Sequence, residues 1–432
     1  MNHYFKNIIK LLFVFFIINS AADIFAQNEF WVRQPSPVHA HLSRCSFVDS
    51  LNIWAVGDSG AIIHTSNGGI NWVVQNSNIN SMIEDVCFIN KRLGWALSND
   101  FYGLGTIILK TTNGGITWTN YRYSDTTIAI NAVYFLDSLN GYLGGSSGTI
   151  MKTSDAGDSW TRCRLEVSSF FHTLPITRFN FLNEQYGLAV GGVMDVAGTA
   201  WKTTDYGNNW AITDTTPEPL ADCLYYNSDL AFTSGGDFEY GSSFAYSING
   251  GNTWVDSNIG FFGIGRRVAV RKLNDIWVPT AFSAEFVRSF DSGHSFMAYT
   301  VPDTNSVYDA IFIDTIRGWA FGVGGAIYKY NNNLIGISNN RNNLPAVFSL
   351  MQNYPNPFNP ATTIEYAVPI TSLVRITLYD MLGREVKVLV NELKQPGTHS
   401  IAFTSDGLSS GVYFYRLESG SIIQTKKLVL LK

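Results

Sequence analysis

The sequence predicts an all-β protein: a seven-bladed β-propeller followed by a small Ig-like β-sandwich. Three observations carry that expectation. A short turn motif, typified by Thr111-Thr112-Asn113-Gly114-Gly115-Ile116-Thr117-Trp118, recurs along most of the chain. Short apolar runs of strand length precede each copy, so the repeating unit reads as four strands. Past residue 331 the repeat stops, and a proline-rich entry leads into alternating strands separated by tight turns.

The turn motif follows from the chemistry of its residues. Asn113 is expected to fold its side chain onto the backbone two residues on, as an Asx-turn, with Gly114 and Gly115 supplying positive φ. Thr117 and Trp118 then suit the start of a strand. None of these residues is a nucleophile or a base. Copies centre on Asn67, Asn113, Asp155, Asp205, Asn249 and Asp291, and a worn seventh at Asn332 lacks both Gly and Trp. The intervals are 46, 42, 50, 44, 42 and 41 residues. A Trp-Ala run precedes the turn in Ile53-Trp54-Ala55-Val56-Gly57, Gly94-Trp95-Ala96-Leu97 and Gly318-Trp319-Ala320-Phe321-Gly322. Ten of the eleven Trp fall on these two templates, Trp201 being the exception, so tryptophan richness reads as structural.

Four-stranded units at a period of 40–45 residues indicate propeller blades, each burying its faces against its neighbours. The seventh unit lacks a fourth strand. Asn28-Glu29-Phe30-Trp31-Val32 resembles Ile70-Asn71-Trp72-Val73, so residues 28–33 are expected to complete it and remove an open edge. The expected organisation is a signal peptide at 1–26, the propeller at 27–330, a linker at 331–345 and the sandwich at 346–432.

The 432 residues carry a formal net charge of −5, and no cluster of Lys and Arg dominates, which argues against nucleic acid as a partner. Lys6 and Lys10 precede the apolar run Leu11–Ile18 and small residues ending at Ala26, the pattern of a secretory signal. No later segment is long and apolar enough for a membrane span. Cys45, Cys87, Cys163 and Cys223 match no metal or redox spacing, and no cofactor or metal is expected. They read as reduced core residues, with Cys45–Cys87 as the one pair worth testing.

The segment 331–345 is polar and Asn-rich, a linker by composition. Tyr354-Pro355-Asn356-Pro357-Phe358-Asn359-Pro360 is held extended by its prolines. Strands are expected at 363–368, 374–379, 385–390, 399–403, 412–417 and 424–431, with turns at Asp380–Gly383 and Ser409–Gly411.

The Ser/Thr-x-Asp/Asn-x-Gly-x-Thr-Trp turn resembles the Asp-box, or BNR repeat, of sialidases and related propellers. With the Gly-Trp-Ala-Val-Gly run, the pattern is most similar to the photosystem II assembly/stability factor family of seven-bladed propellers. The C-terminal region resembles the type A sorting domain of type IX secretion cargo. The residues that carry this likeness include Pro355, Asn356, Pro357, Gly383, Gly411, Lys426 and Lys427. What that resemblance implies is passage through the periplasm, the type IX machinery as a partner, and a secreted or surface-attached product.

Strand order places the repeated turn on one face of the ring. The irregular connections, between second and third strands and between blades, lie on the other. That second face is the expected binding surface, with Arg164, His172, Arg178, Asp195, Asp237, Glu239, Arg266 and Arg267 as candidate ligand-binding residues. The cations before the turns, His64, Lys110, Lys152, Lys202, Arg288 and Lys329, read as solvent-facing partners of nearby carboxylates. The expected function is non-catalytic binding of a protein or polysaccharide, with no catalytic residue assigned. The alternative is an Asp-box glycoside hydrolase of sialidase or xyloglucanase type, with Asp100, Asp195, Asp237 and Glu239 as its carboxyls. Against it stand the missing Arg-Ile-Pro signature, the seven-unit count and the single propeller.

Overall fold

The computed structural model describes residues 30–99, 105–166, 170–331 and 348–431, apart from 354, 370, 371, 395, 396, 406 and 421. The signal segment 1–26, residues 332–345 of the linker, the worn turn centre Asn332 and Asp100 therefore lie outside the described residues. The chain divides into two compact units, Met1–Asn332 and Asn333–Lys432. Among the described residues, no helix is long and apolar enough to cross a membrane.

The first unit is built from seven sheets of four or five strands, counted over the described residues. In the first sheet, Leu42–Phe47, Ile53–Gly57, Ile62–Thr65 and Val73–Gln75 pair antiparallel in chain order. Burial falls from inside to outside. All of Ile53–Gly57 is buried, whereas all of Thr119–Arg122, the outer strand of the second sheet, is exposed. The cause is that inner strands have a neighbouring sheet on both faces, which suits the uninterrupted apolar runs of the second strands.

Each core cluster joins one sheet to the next. Trp54, Val56 and Ile62 of the first sheet pack with Phe88, Ala96 and Trp118 of the second. The series runs on to the seventh sheet, whose Ile311, Trp319 and Phe321 pack on Leu42, Ile53 and Trp72 of the first. Trp31–Gln34 supplies the outer strand of the seventh sheet, antiparallel to Ala326–Tyr330 with Trp31 opposite Tyr330. The Asn331 amide extends this pairing by donating to the Phe30 carbonyl at 2.8 Å. Trp201, off the repeat template, is a fully buried core residue whose indole N–H donates to Thr199 Oγ1 at 3.1 Å.

The repeated turns share one hydrogen-bond scheme. In the second copy the Gly115 amide donates to Thr111 Oγ1 at 2.9 Å and the Thr117 amide to Asn113 Oδ1 at 3.0 Å. The Asn side chain thus caps the amide four residues on rather than two. Gly114 and Gly115, at φ 75° and 87°, carry the chain around so that Thr117 returns to it. Where Asp replaces Asn the scheme survives: the Ser159 amide donates to Asp155 Oδ1 at 2.8 Å.

Each turn also fastens onto the preceding sheet. Trp54 Nε1 donates to the Gly114 carbonyl and Trp95 Nε1 to that of Ala156, both at 3.3 Å, and the Tyr142 hydroxyl donates to Tyr206 O at 2.8 Å. Across the ring junction, a Cβ added to Gly69 would meet Trp319 Nε1 at 2.5 Å. Two of the cations before the turns pair with carboxylates as expected, Lys110 with Asp158 at 3.4 Å and Arg288 with Asp275 at 2.7 Å, while the other lysines reach non-carboxylate oxygens. Lys152 Nζ donates to Tyr206 O at 2.6 Å, Lys202 Nζ to Asn252 Oδ1 at 2.8 Å and Lys329 Nζ to Gly68 O at 3.1 Å, each on the next sheet's turn. His64 stacks on Trp54 at 4.2 Å instead, and burial pushes it down to about 4, so it is neutral.

The second unit stacks two sheets about one core. Ser349–Leu350, Ala361–Val368 and Gly397–Thr404 form one sheet. Glu385–Lys394, Ser372–Tyr379, Gly411–Ser419 and Ile422–Leu430 form the other, paired in that order. Ile364, Tyr366 and Phe403 meet Val374, Ile376, Tyr415 and Leu428 in the shared core. The proline segment is held against the last strand: Asn356 Oδ1 accepts the Val429 amide at 2.9 Å, and Phe358 N donates to Val429 O at 3.0 Å. Asn356-Pro357 and Asn359-Pro360 are cis. Gly383, at φ 74°, closes a turn in which Asp380 Oδ1 accepts the Leu382 and Arg384 amides. Gly411 opens its strand, and Lys426 and Lys427 are exposed on the last one.

Candidate binding face and central charge ring

The innermost strands share a bulge, seen as register shifts at 42/44, 83/85, 130/132, 176/178, 220/222 and 307/309. A bulge bends the strand and re-aims the residue beside it. In the sixth sheet the innermost strand is divided into Ile264–Gly265 and Ala269–Lys272, with Arg266–Val268 between. Its register is fixed by hydrogen bonding. The Val268 amide donates to Asp222 Oδ2 at 2.8 Å, as the Cys45 amide does to Asp309 Oδ2 at 2.7 Å and Val133 to Asp85 Oδ2 at 3.0 Å. Arg267 is therefore equivalent to Arg44 and Ala132.

Taken around the first unit, the equivalent residues are Arg44, Asp85, Ala132, Arg178, Asp222, Arg267 and Asp309. Charges alternate, and the odd number of positions is resolved by one neutral residue. Ala132 leaves Arg178 to reach past it to Asp85 at 2.8 Å as well as to Asp222 at 3.2 Å. Arg267 lies 3.7 Å from Asp222 and 3.6 Å from Asp309. Arg44 Nη1 donates to the Arg266 carbonyl at 3.4 Å. Burial first, then Arg178 and Arg266, lower Arg44 to about 10. Burial also pushes Asp222 up to about 6, while Arg178 and the Val268 amide hold it back, so it remains a carboxylate at neutral pH. Burial works against the Arg178 charge, but Asp85, Asp222 and Asp309 more than offset it and hold its proton tightly.

On one side of this ring a cavity of about 320 Å³ is lined by Cys45, Cys87, Cys223, Phe47, Phe135 and Arg178, among others. All four cysteines are free thiols, including Cys45 and Cys87. Burial pushes Cys87 and Cys163 up to about 12, and Cys45 and Cys223 well above the ordinary thiol range, so all stay neutral. Among the described residues, no group of three or more His, Cys, Asp or Glu is placed to hold a metal.

The candidate binding residues separate into five places. Arg178 and Arg267 belong to the charge ring, and Arg266 adjoins it, half-buried, with Asp309, Glu84 and Tyr308 around its charge. Arg164 sits at the outer edge of the fourth sheet, where Arg164–Leu165 pairs parallel to Asn209–Trp210. His172 lies in the helical turn Phe170–Thr173, packed over Gly148 of the third sheet. Asp195, at φ 59°, forms the turn after Gly187–Val193. Asp237 caps the corresponding turn of the fifth sheet, its Oδ1 accepting the Glu239 amide at 2.9 Å and the Tyr240 amide at 2.6 Å.

Residues missed by sequence reasoning complete the picture. Asp85, Asp222 and Asp309 stand three residues before the aromatic that ends the innermost strand, as in Asp85-Val86-Cys87-Phe88 and Asp222-Cys223-Leu224-Tyr225, and that offset was the available signal. Phe238, Phe262 and Phe282 form an exposed aromatic patch at the connections of the fifth and sixth sheets. Phe238 is 4.8 Å from Phe282 and 6.5 Å from Phe262, and Phe282 is 5.9 Å from Tyr308 beside the ring.

Four-stranded sheets packed one on the next place the first unit in the β-propeller class. Residues 72–218 match the family described as photosynthesis system II assembly factor YCF48, and residues 352–431 match the secretion system C-terminal sorting domain. The structure of YCF48 from Cyanidioschyzon merolae is similar with a TM-score of 0.57 at 18% identity, covering 70% of this chain and 99% of that one. A structure of YCF48 bound to D1 peptide gives 0.55 at 18% identity, covering 71% and 99%. The GH74 xyloglucanase from Xanthomonas campestris gives 0.54 at 11% identity, covering 78% of this chain and 59% of that one. At these identities the likeness is one of fold. No curated protein matches the chain by sequence.

Proposed function

We propose that the first unit is a closed seven-bladed propeller that binds an extended protein segment without catalysis. Its binding face is the one bearing Phe238, Phe262 and Phe282. The observation that carries this reading is the exposure of those rings, 46%, 57% and 50%. Leaving a Phe in water forgoes roughly 1.5–3 kcal/mol, and a cluster of such residues marks a partner surface. The charge ring supplies a rigid floor, since Arg178 and Arg267 already have carboxylate partners. Arg266, His172 and Glu239 belong to the same face. The peptide named with the YCF48 structure fits this class of ligand.

On the same reading, residues 1–26 direct export and 331–345 form a linker. Residues 346–432 are an Ig-like sorting domain read by type IX machinery, through the Pro355–Pro357 segment, the Gly383 and Gly411 turns, and Lys426 and Lys427. The product is secreted or held at the outer surface after crossing the periplasm. The test is capture of partners by the exported full chain, beside a glycan array. Replacing Phe238, Phe262 and Phe282 together by Ala is expected to abolish protein capture while the melting temperature stays unchanged. Capture that survives, or glycan binding indifferent to the three rings, overturns the reading.

A further inference from the structure

A second cavity, about 370 Å³, lies between the fourth and fifth sheets, lined by Glu218, Leu220, Tyr240, Phe244, Ala245 and Asp256, among others. Its titratable walls are acidic, and among the described residues no Lys, Arg or His lines it. Glu218 is 8% exposed and Asp237 2%, and apart from each other Glu218 Oε2 and Asp237 Oδ2 have no hydrogen-bond partner among the described groups. The two carboxyls face each other. Burial first, then Asp237, Asp195 and Glu239, push Glu218 up to about 7. Burial would also raise Asp237, but the Tyr240 and Glu239 amides and Glu218 hold it down. On another wall, Asp256 faces Asp214, which burial and Asp256 together push up to about 6. Of the four, Glu218 and Asp237 are buried, Asp214 is half-buried and Asp256 is exposed; two buried carboxyls held together without a cation are unfavourable unless a proton or a guest neutralises them. Leu220, Phe244 and Ala245 add an apolar surface between them.

We infer that this pocket binds a primary ammonium group on an aliphatic stem, the stem lying on Leu220, Phe244 and Ala245 and the ammonium meeting the Glu218 and Asp256 carboxylates. A lysine side chain of a partner and a small free diamine share that chemistry. None of Phe238, Phe262 and Phe282 lines this pocket, so the site does not rest on the proposed partner face. Binding requires carboxylates, so it is strongest above pH 7 and weakens as Glu218 and then Asp214 take up protons.

The test is calorimetric titration of the full chain at pH 8 with 1,5-diaminopentane, with N-acetyl-lysine methylamide, and with 1-butanol as the uncharged control. Saturable binding of an amine is expected, weakened about tenfold or more by Glu218→Gln and by Asp256→Asn. A similar loss is expected on moving to pH 5.5. The Phe238, Phe262 and Phe282 triple variant is expected to bind the amine normally, which separates this site from the partner face. Preference for the lysine derivative assigns a protein-borne guest, and preference for the diamine a small one. No saturable heat with either amine, equal binding of 1-butanol, or amine binding displaced by micromolar Ca²⁺ overturns the inference.

Discussion

The rim turn recurs in six of the seven sheets among the described residues and the ring position in all seven, yet they are written in opposite ways. The rim repeats itself: a hydroxyl residue, an Asn or Asp and a glycine stand at equivalent places in copy after copy, because each turn solves the same local problem with its own atoms. Thr111, Thr153 and Thr203 each accept an amide four residues on, at 2.9–3.0 Å. The ring does not repeat. Arg44, Asp85, Ala132, Arg178, Asp222, Arg267 and Asp309 occupy one position and differ because each must complement its neighbours across a sheet boundary. Local demands repeat the residue; shared demands alternate it.

The largest effect that probes this contrast is expected in the ring. Arg178→Met leaves Asp85 and Asp222 buried without their shared partner and is expected to cost about 3–5 kcal/mol in chemical denaturation. A loss below about 1 kcal/mol would mean that the ring charges do not depend on one another. A smaller loss, about 1–3 kcal/mol, is expected from Gly207→Ala at the rim, where φ is +71° and the new Cβ would meet Tyr142 Cε1 at 2.3 Å. Denaturation of that variant tests whether the turn is pressed on the preceding sheet. The smallest effect is one of pH alone. The Ser159 hydroxyl, then its amide, and the Thr153 hydroxyl hold Asp155 down to about 2. Its contribution is full above the unfolded carboxyl range, near pH 4, and is lost as pH falls toward 2. Asp155→Asn, the residue found naturally at 67, 113 and 249, is expected to flatten the stability profile between pH 4 and 2 and leave it unchanged at pH 7.

The same contrast sets what was legible in the sequence. The all-β class and the turn positions could be read because Asn, Gly and Trp act within eight residues. All six strands expected after the proline segment overlap observed strands, since period-two alternation is also local. In the candidate site, Arg178, Arg266 and Arg267 were visible as charges but read as loop ends. Their carboxylates lie on other sheets, Asp85 at 93 residues from Arg178, and no local pattern links them. Glu218 was passed over for a different reason: it follows Pro217 in a connection, and only the fold brings Asp237 to it. The Asn113 cap was assigned to the wrong amide because two successive left-handed glycines lengthen the turn.

The pairing of Trp31–Gln34 with Ala326–Tyr330 works as a buckle, the first described strand of the unit finishing its last sheet. The seventh sheet also meets the first through Ile311, Trp319 and Phe321 on Leu42, Ile53 and Trp72, and the sixth through Ala310 and Tyr328 on Trp277 and Phe286. The cohesion of the circle then rests on seven packed interfaces and one clasp, not on unbroken peptide between them. A single backbone cut at an exposed turn is expected to leave both pieces held together, whereas deleting the four residues of the tongue, Trp31–Gln34, is expected to bare the outer edge of the seventh sheet while its packing on the first remains.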